Sequence, residues 1–263
     1  MMERKKAKVI STANQKGGVG KTSSTDNIGE IAADQLNLKT LLIDMDPQSS
    51  LTSLKANIVS IIANKQKNMT DVMLQRATMK EIIIPLRKNL YLAPTTLELS
   101  DAEINLVSAT LRELVFAKAL EEIIYDYDLI IIDCPPSRGL LTVNALSASD
   151  YVVIPVQSEY QALIGINLLK NTIKNIQKQI NPNLETLGYF ITMITRTNHS
   201  SDVTNEIKKD KDISVILGSI NRGIAVSEAG VANMSVYEYD SSETVSKQYL
   251  ELTKTIVEKA GVM

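Results

Sequence analysis

Three short segments of the chain carry residue types suited to phosphate chemistry. The first is KGGVGKT, Lys16–Thr22, which follows the run VISTA and precedes a helical pattern. Gly17, Gly18 and Gly20 permit backbone angles and close approach that a Cβ resists. Successive N–H groups from Lys16 through Val19 and Gly20 can therefore point at phosphate oxygens. A helix opening near Lys21 adds unpaired amides and its positive end. In that setting Lys21 reaches the β- and γ-phosphates, the Thr22 hydroxyl ligates Mg²⁺ and Ser23 bonds the α-phosphate. The segment departs from G-x-x-x-x-G-K-[ST] at one place, where Gln15 takes the first glycine position. Lys16 has no duty in an ordinary phosphate loop and, by residue type alone, is a solvated charge.

The second segment, DMDPQ at 44–48, ends the apolar run TLLI. A carboxylate at the C-terminal end of a parallel strand lies in the crevice where open α/β sheets bind ligands. Asp46 either caps a helix beginning at Pro47 or positions the attacking water beside the γ-phosphate and Mg²⁺, with Asp44 supporting the metal's outer shell. The third segment is LIIIDCPP at 129–136, whose Asp133 is aimed at magnesium-bound water. Cys134 beside it reads as an inert small core residue.

These segments need a frame that brings them together. The 263 residues hold 44% apolar and 22% charged side chains, ordinary globular values that exclude disorder and low complexity. Apolar runs such as LIII and YVVIPV fall far short of the ~20 residues of a membrane span. No apolar leader follows MMERKK, so secretion is not expected. One Cys and one His exclude an intramolecular disulfide and a usual structural zinc site. Strand-like runs at Lys8–Ala13, Thr40–Ile43, Leu90–Ala93, Leu129–Ile132, Tyr151–Pro155, Leu187–Ile194 and Ile213–Leu217 alternate with helical patterns. Those patterns follow Lys21 (Ile28, Ile31, Ala32, Leu36), fill 159–180 (Leu163, Ile166, Leu169, Ile173, Ile176, Ile180) and close the chain at 242–260. The alternation predicts an α/β fold, a doubly wound, mostly parallel sheet with helices on both faces, as one domain over 1–263.

The order KGGVGKT, DMDPQ, IIIDCPP resembles the deviant Walker A, switch I and Walker B motifs of the ParA/MinD superfamily of ATPases. Within it, IPVQSEYQALIG and NALSASDYVVIPV are similar to the short, Soj-like ParA partition branch, and the likeness spans about residues 7–257. The resemblance implies ATP and Mg²⁺ as cofactors, Thr22, Asp46 and (through water) Asp133 at the metal, and Lys16, Lys21 and Asp46 as catalytic residues. It implies an ATP-sandwich homodimer in which Lys16 reaches the partner's phosphates, and a ParB-like centromere-binding adaptor that stimulates slow hydrolysis. It also implies a cytoplasmic, nucleoid-associated bacterial protein. With the first strand starting near residue 8, no N-terminal helix-turn-helix domain is expected. The single cysteine excludes the iron–sulfur branch, and the tail has no basic excess for MinD-type membrane targeting, so no membrane partner is expected. A MinD-like membrane cycle, or an ATP-dependent scaffold positioning protein cargo, remains the alternative. Where the family usually reads KTTTAVNLA, this chain reads KTSSTDNIG, placing Asp26 and Gly29 in the helix.

The net charge of −2 argues mildly against nucleic acid until it is read by region. Residues 161–222 carry eight Lys/Arg against five acids. By residue type this is a modest basic surface that dimerisation would double. In the ParA family the ATP dimer binds duplex DNA without sequence preference through this half, and the candidates here are Arg196, Arg222, Lys174 and Lys208. Low aromatic content offers little for base stacking, so duplex backbone is favoured over single strands.

Overall fold

Continuous Val/Ile/Leu runs form strands that can be buried on both faces only if helices cover each side. In the computed structural model, which describes residues 5–159, 162–195, 205, 207 and 215–263, this is the arrangement found. The strands are β1 (Lys8–Thr12), β2 (Thr40–Asp44), β3 (Ile84–Arg87), β4 (Leu90–Ala93), β5 (Leu129–Asp133), β6 (Tyr151–Gln157), β7 (Glu185–Ile194) and β8 (Ile216–Asn221). They form one sheet in the order β3-β4-β2-β5-β1-β6-β7-β8. Every pair is parallel except β3–β4.

Side-chain alternation divides the core into two layers. Leu41, Ile43, Ile130, Ile132, Val152 and Ile154 face one layer, where Ile166, Leu169, Ile173 and Ile176 of the helix Ala162–Gln179 meet them. Leu42, Leu129, Ile131 and Val153 face the other. There they meet Ile28, Ile31 and Ala32 of helix α1 (Lys21–Asp34) and Val245, Tyr249, Leu252, Ile256 and Val257 of the helix Thr244–Lys259. The C-terminal helix thus lies on α1 and β8 with its apolar stripe covered. Gly29 marks the closest approach of α1 to the sheet, since a Cβ there would stand 2.3 Å from Leu42 Cδ2. The glycine is required by packing, not by its backbone angles.

Two strands differ from expectation. β3 was not predicted: IPLR is short, holds Pro85 and pairs antiparallel with β4 at the sheet edge, so it lacks the buried run of the central strands. The last strand lies later than the predicted Ile213–Leu217. At this edge only Leu217 and Ile220 of β8 are buried, while Gly218, Ser219 and Asn221 complete the strand and break the apolar pattern. Among the described residues no helix is long and apolar enough to cross a membrane.

Candidate active site

The chain leaves β1 through α1 for β2 on one side, and leaves β5 for β6 on the other. The C-terminal ends of β1 and β5 therefore frame a topological switch point, the usual ligand crevice of such sheets. Register sharpens this. Thr12 of β1 and Asp44 of β2 are both the Cα partners of Asp133 on β5. Two carboxylates and a threonine end three adjacent strands at one level.

The glycine loop crosses directly above that row. Gly18 (φ 74°) and Gly20 (φ 86°) occupy the left-handed region, which a Cβ disfavours, and Gly20 is the N-cap of α1. Among the described residues, apart from chain neighbours, no atom lies within 4 Å of where a Cβ would sit on Gly17 or Gly18, so that side of the loop is open. The loop is braced from both ends. Asn14 Nδ2 donates to the Pro155 carbonyl at 2.7 Å, and Asn14 Oδ1 accepts from the Lys16 N–H at 2.9 Å. Val19, which is buried, is tied through its carbonyl to the Thr192 hydroxyl of β7 at 2.9 Å. Asn14 and Thr192 have no motif signal, because these contacts join the loop to strands far away in the chain.

Lys21 is 7% exposed, and its Nζ donates to the Lys16 carbonyl at 3.2 Å, folded back across the loop. Burial lowers its pKa, opposed by the nearby charges of Asp133 and Asp46. Thr22 Oγ1 donates to Asp133 Oδ2 at 2.7 Å. Lys16 pairs instead with Glu159, and both side chains are partly exposed. Cys134 is fully buried, and burial pushes its thiol up to about 12, which keeps it protonated and inert as expected.

Asp44 and Asp46 have separate tasks. Both oxygens of Asp44 are engaged: Oδ1 accepts from the Asp46 N–H at 3.2 Å, and Oδ2 accepts from Thr52 N–H (2.8 Å) and Thr52 Oγ1 (2.7 Å). Asp44 is thus the brace of the segment that follows it. Asp46 lines the cleft and, among the described residues, accepts the Gln48 N–H alone, at 3.0 Å, on Oδ1. No helix begins at Pro47 as the capping alternative required. Helix α2 spans Ser50–Lys55 and its N-cap is Ser49, in the left-handed region.

Burial raises Asp44 to about 7 and holds Asp133 well above the ordinary carboxylate range. For Asp44 the folded chain keeps a proton that an unfolded aspartate releases near ~3.9. The stability contributed by this proton is complete below pH ~4 and is lost as pH rises through about 7, at up to about 1.4 kcal/mol per pH unit. The protein without nucleotide or metal is expected to melt at a lower temperature at pH 8 than at pH 5. Asp44→Asn should flatten that difference; an unchanged pH profile in the variant would refute the assignment.

The same electrostatics fit a cation. Among the described residues Asp133 Oδ1 and Thr12 Oγ1 are buried without a hydrogen-bond partner, and the first belongs to a carboxylate whose charge burial disfavours. Mg²⁺ with its water shell satisfies such oxygens, and the donor set of hydroxyl and carboxylates suits a hard ion. The cleft itself has a volume of about 610 Å³ and is lined by Gly17, Gly18, Lys21, Thr22, Ser23 and Asp46. That is ample for a nucleotide. Gln48, Ser50, Ser53, Leu54, Pro136 and Met193 also line it.

A model of the AAA domain family matches residues 7–186. The sporulation initiation inhibitor protein Soj of Bacillus subtilis is 41% identical over 251 residues, covering 95% of this chain and 98% of Soj. The chromosome-partitioning ATPase Soj of Treponema pallidum is 36% identical, over 97% of this chain and 98% of its own. The chain belongs to the ParA/Soj family of partition ATPases. Its fold also matches the crystal structure of cobyrinic acid a,c-diamide synthase from Mycobacterium smegmatis with an ATP analogue and magnesium. The TM-score is 0.77 and the identity 32%, with 91% of this chain and 98% of that one covered. The synthase activity is that protein's own. As a member of the ParA/Soj family the chain is an ATPase that uses ATP and Mg²⁺.

Of the four expected DNA contacts, two lie among the described residues. Arg196 and Lys208 lie outside the described residues. Lys174 is exposed on the helix Ala162–Gln179. Arg222 is exposed just past β8, where its N–H bonds the Ile194 carbonyl at 2.9 Å and so sits at the carboxyl ends of the last two strands.

Proposed function

We propose that residues 1–263 work as one nucleotide-binding unit of a DNA-segregation ATPase that dimerises around Mg·ATP. The observation that supports this best is the Thr22–Asp133 contact under an open glycine loop, with Asp46 facing the same cleft. In this reading the amides of Lys16–Gly20 and Val19 cradle the phosphates, Lys21 pairs with the β- and γ-oxygens, and Ser23 bonds the α-phosphate. Thr22, Asp46 and, through water, Asp133 hold Mg²⁺. Bound Mg²⁺ neutralises charge on the β- and γ-oxygens. Asp46, braced by Asp44, orients the attacking water. Lys16 leaves Glu159 and extends to the phosphates of a second copy; its partial exposure in that ion pair supports this role.

Lys16→Ala should bind nucleotide as a monomer and fail to dimerise with Mg·ATP. Light scattering checks this, and unchanged ATP-dependent dimers would sink the role in trans.

The ATP dimer is proposed to bind duplex DNA on the nucleoid without sequence preference and to release it after hydrolysis stimulated by a ParB-like adaptor. A nucleotide moves such an equilibrium only through its differential affinity for the dimer. Gel shift with ATP should be salt-sensitive, with log K falling by ~0.9 per log salt for each phosphate neutralised. Arg222→Ala should weaken binding on all sequences and shallow that slope. Binding to anionic vesicles instead of DNA would favour the membrane alternative.

A further inference from the structure

Asp26 and Glu30 stand one turn apart on α1, and both point at Lys55, the last residue of α2. Lys55 Nζ is 2.9 Å from Asp26 Oδ1 and 2.6 Å from Glu30 Oε1. The side chains of Lys55 and Asp26 are 3% exposed and that of Glu30 2%, so this is a buried charge cluster. Its second cation is Arg87 of β3, whose Nη2 lies 2.9 Å from Glu30 Oε2 and 2.8 Å from Asp34 Oδ2. Arg87 Nη1 reaches Glu238 at 2.6 Å. None of these residues belongs to a phosphate or metal motif.

Burying three charges where apolar side chains would pack is poor design for stability alone. What the cluster does provide is a defined geometry, because two carboxylates on one helix accept an ammonium from another at only one register. The connection joins two functional elements. α1 begins with Lys21 and Thr22, four residues before Asp26. α2 begins four residues after Asp46 and has only six residues, too few to hold itself as a helix. Its first turns are tied down by Leu51 in the core and by Thr52, which bonds Asp44 and accepts from the Thr95 N–H at 2.9 Å. Its last residue, Lys55, is held by the Asp26 and Glu30 carboxylates of α1. Lys55 also suits the negative end of α2.

We infer that Lys55 is a positioning residue: by latching α2 to α1 through Asp26 and Glu30, it holds the Asp46 segment in register with the phosphate loop for hydrolysis. The inference rests on the proposed role of Asp46 in orienting water.

The test compares ATP affinity with single-turnover hydrolysis at saturating Mg·ATP, alongside thermal melting. Lys55→Met should slow hydrolysis by about 10-fold or more while ATP Kd stays within about 3-fold, since no phosphate contact is removed. Lys55→Arg, which keeps the charge, should recover most of the rate. Asp26→Asn leaves Glu30 to hold the lysine, so it should fold even where Lys55→Met does not, and should slow hydrolysis by about 3-fold at unchanged Kd. A folded Lys55→Met or Asp26→Asn protein that hydrolyses ATP at the parental rate would overturn the latch. So would a parallel loss of affinity and rate, the mark of a purely structural role. Asp46→Ala is the control. If that variant turns over normally, the reading of Asp46 fails; if it is inactive while Lys55→Met is not, the latch fails by itself.

Discussion

Lys21→Ala is expected to abolish useful ATP binding, weakening Kd by at least about 100-fold, which corresponds to about 2.7 kcal/mol. The lysine is buried at the base of the glycine loop and rests on the Lys16 carbonyl. Burial disfavours its charge, and the carboxylates of Asp133 and Asp46 counter this only in part. A triphosphate brings the missing negative charge into a place from which water is largely excluded, where charge-assisted hydrogen bonds are strongest. No other described lysine or arginine lines the cleft to replace it. Titration with a fluorescent ATP analogue in the presence of Mg²⁺ measures the loss. Affinity within about 3-fold of the parent, in a protein with an unchanged melting temperature, would contradict the assignment.

Asp46→Ala should separate binding from turnover. The carboxylate lines the cleft, and one of its oxygens accepts no hydrogen bond from the described residues, whereas Asp44 has both oxygens occupied. This geometry is the ground for proposing Asp46, and not Asp44, as the carboxylate that holds a water or the metal's shell. Its loss should reduce the hydrolysis rate by about 100-fold or more and leave ATP affinity within about 5-fold, the pattern of an interaction made chiefly in the transition state. If dimers form around ATP, they should accumulate and stay on DNA in this variant. Phosphate release under single-turnover conditions reads the effect directly, and turnover at the parental rate would refute the role.

Much of this site is written locally. Glycines at 17, 18 and 20 before Lys-Thr, and an aspartate ending each of two apolar runs, are short-range patterns. Each reports a backbone requirement or a strand end at its own position. For the same reason the buried central strands were legible, with boundaries at Thr40, Leu90, Leu129 and Tyr151 matching the observed ones. Pro85 in the edge strand β3 and Gly218 in β8 interrupt the apolar run that reveals a strand, and only pairing with β4 and β7 defines those elements.

Other parts depend on residues far apart in the chain. No spacing rule connects Asn14 to Pro155 or Val19 to Thr192, although these contacts hold the glycine loop in shape. Asp26 looked like an anomaly in an amphipathic helix until Lys55 was placed beside it. Asp44 and Asp46, two residues apart and identical in type, became distinct through Thr52, which occupies one and leaves the other facing the cleft. The residues proposed to act on phosphate could be singled out from types and spacing, because a loop's φ angles, a strand's end and a helix's first turn are local properties of the chain. The division of labour among them came from the folded molecule. Burial, register and hydrogen-bond competition are set by whichever distant segment packs alongside, and a linear pattern carries no measure of that distance.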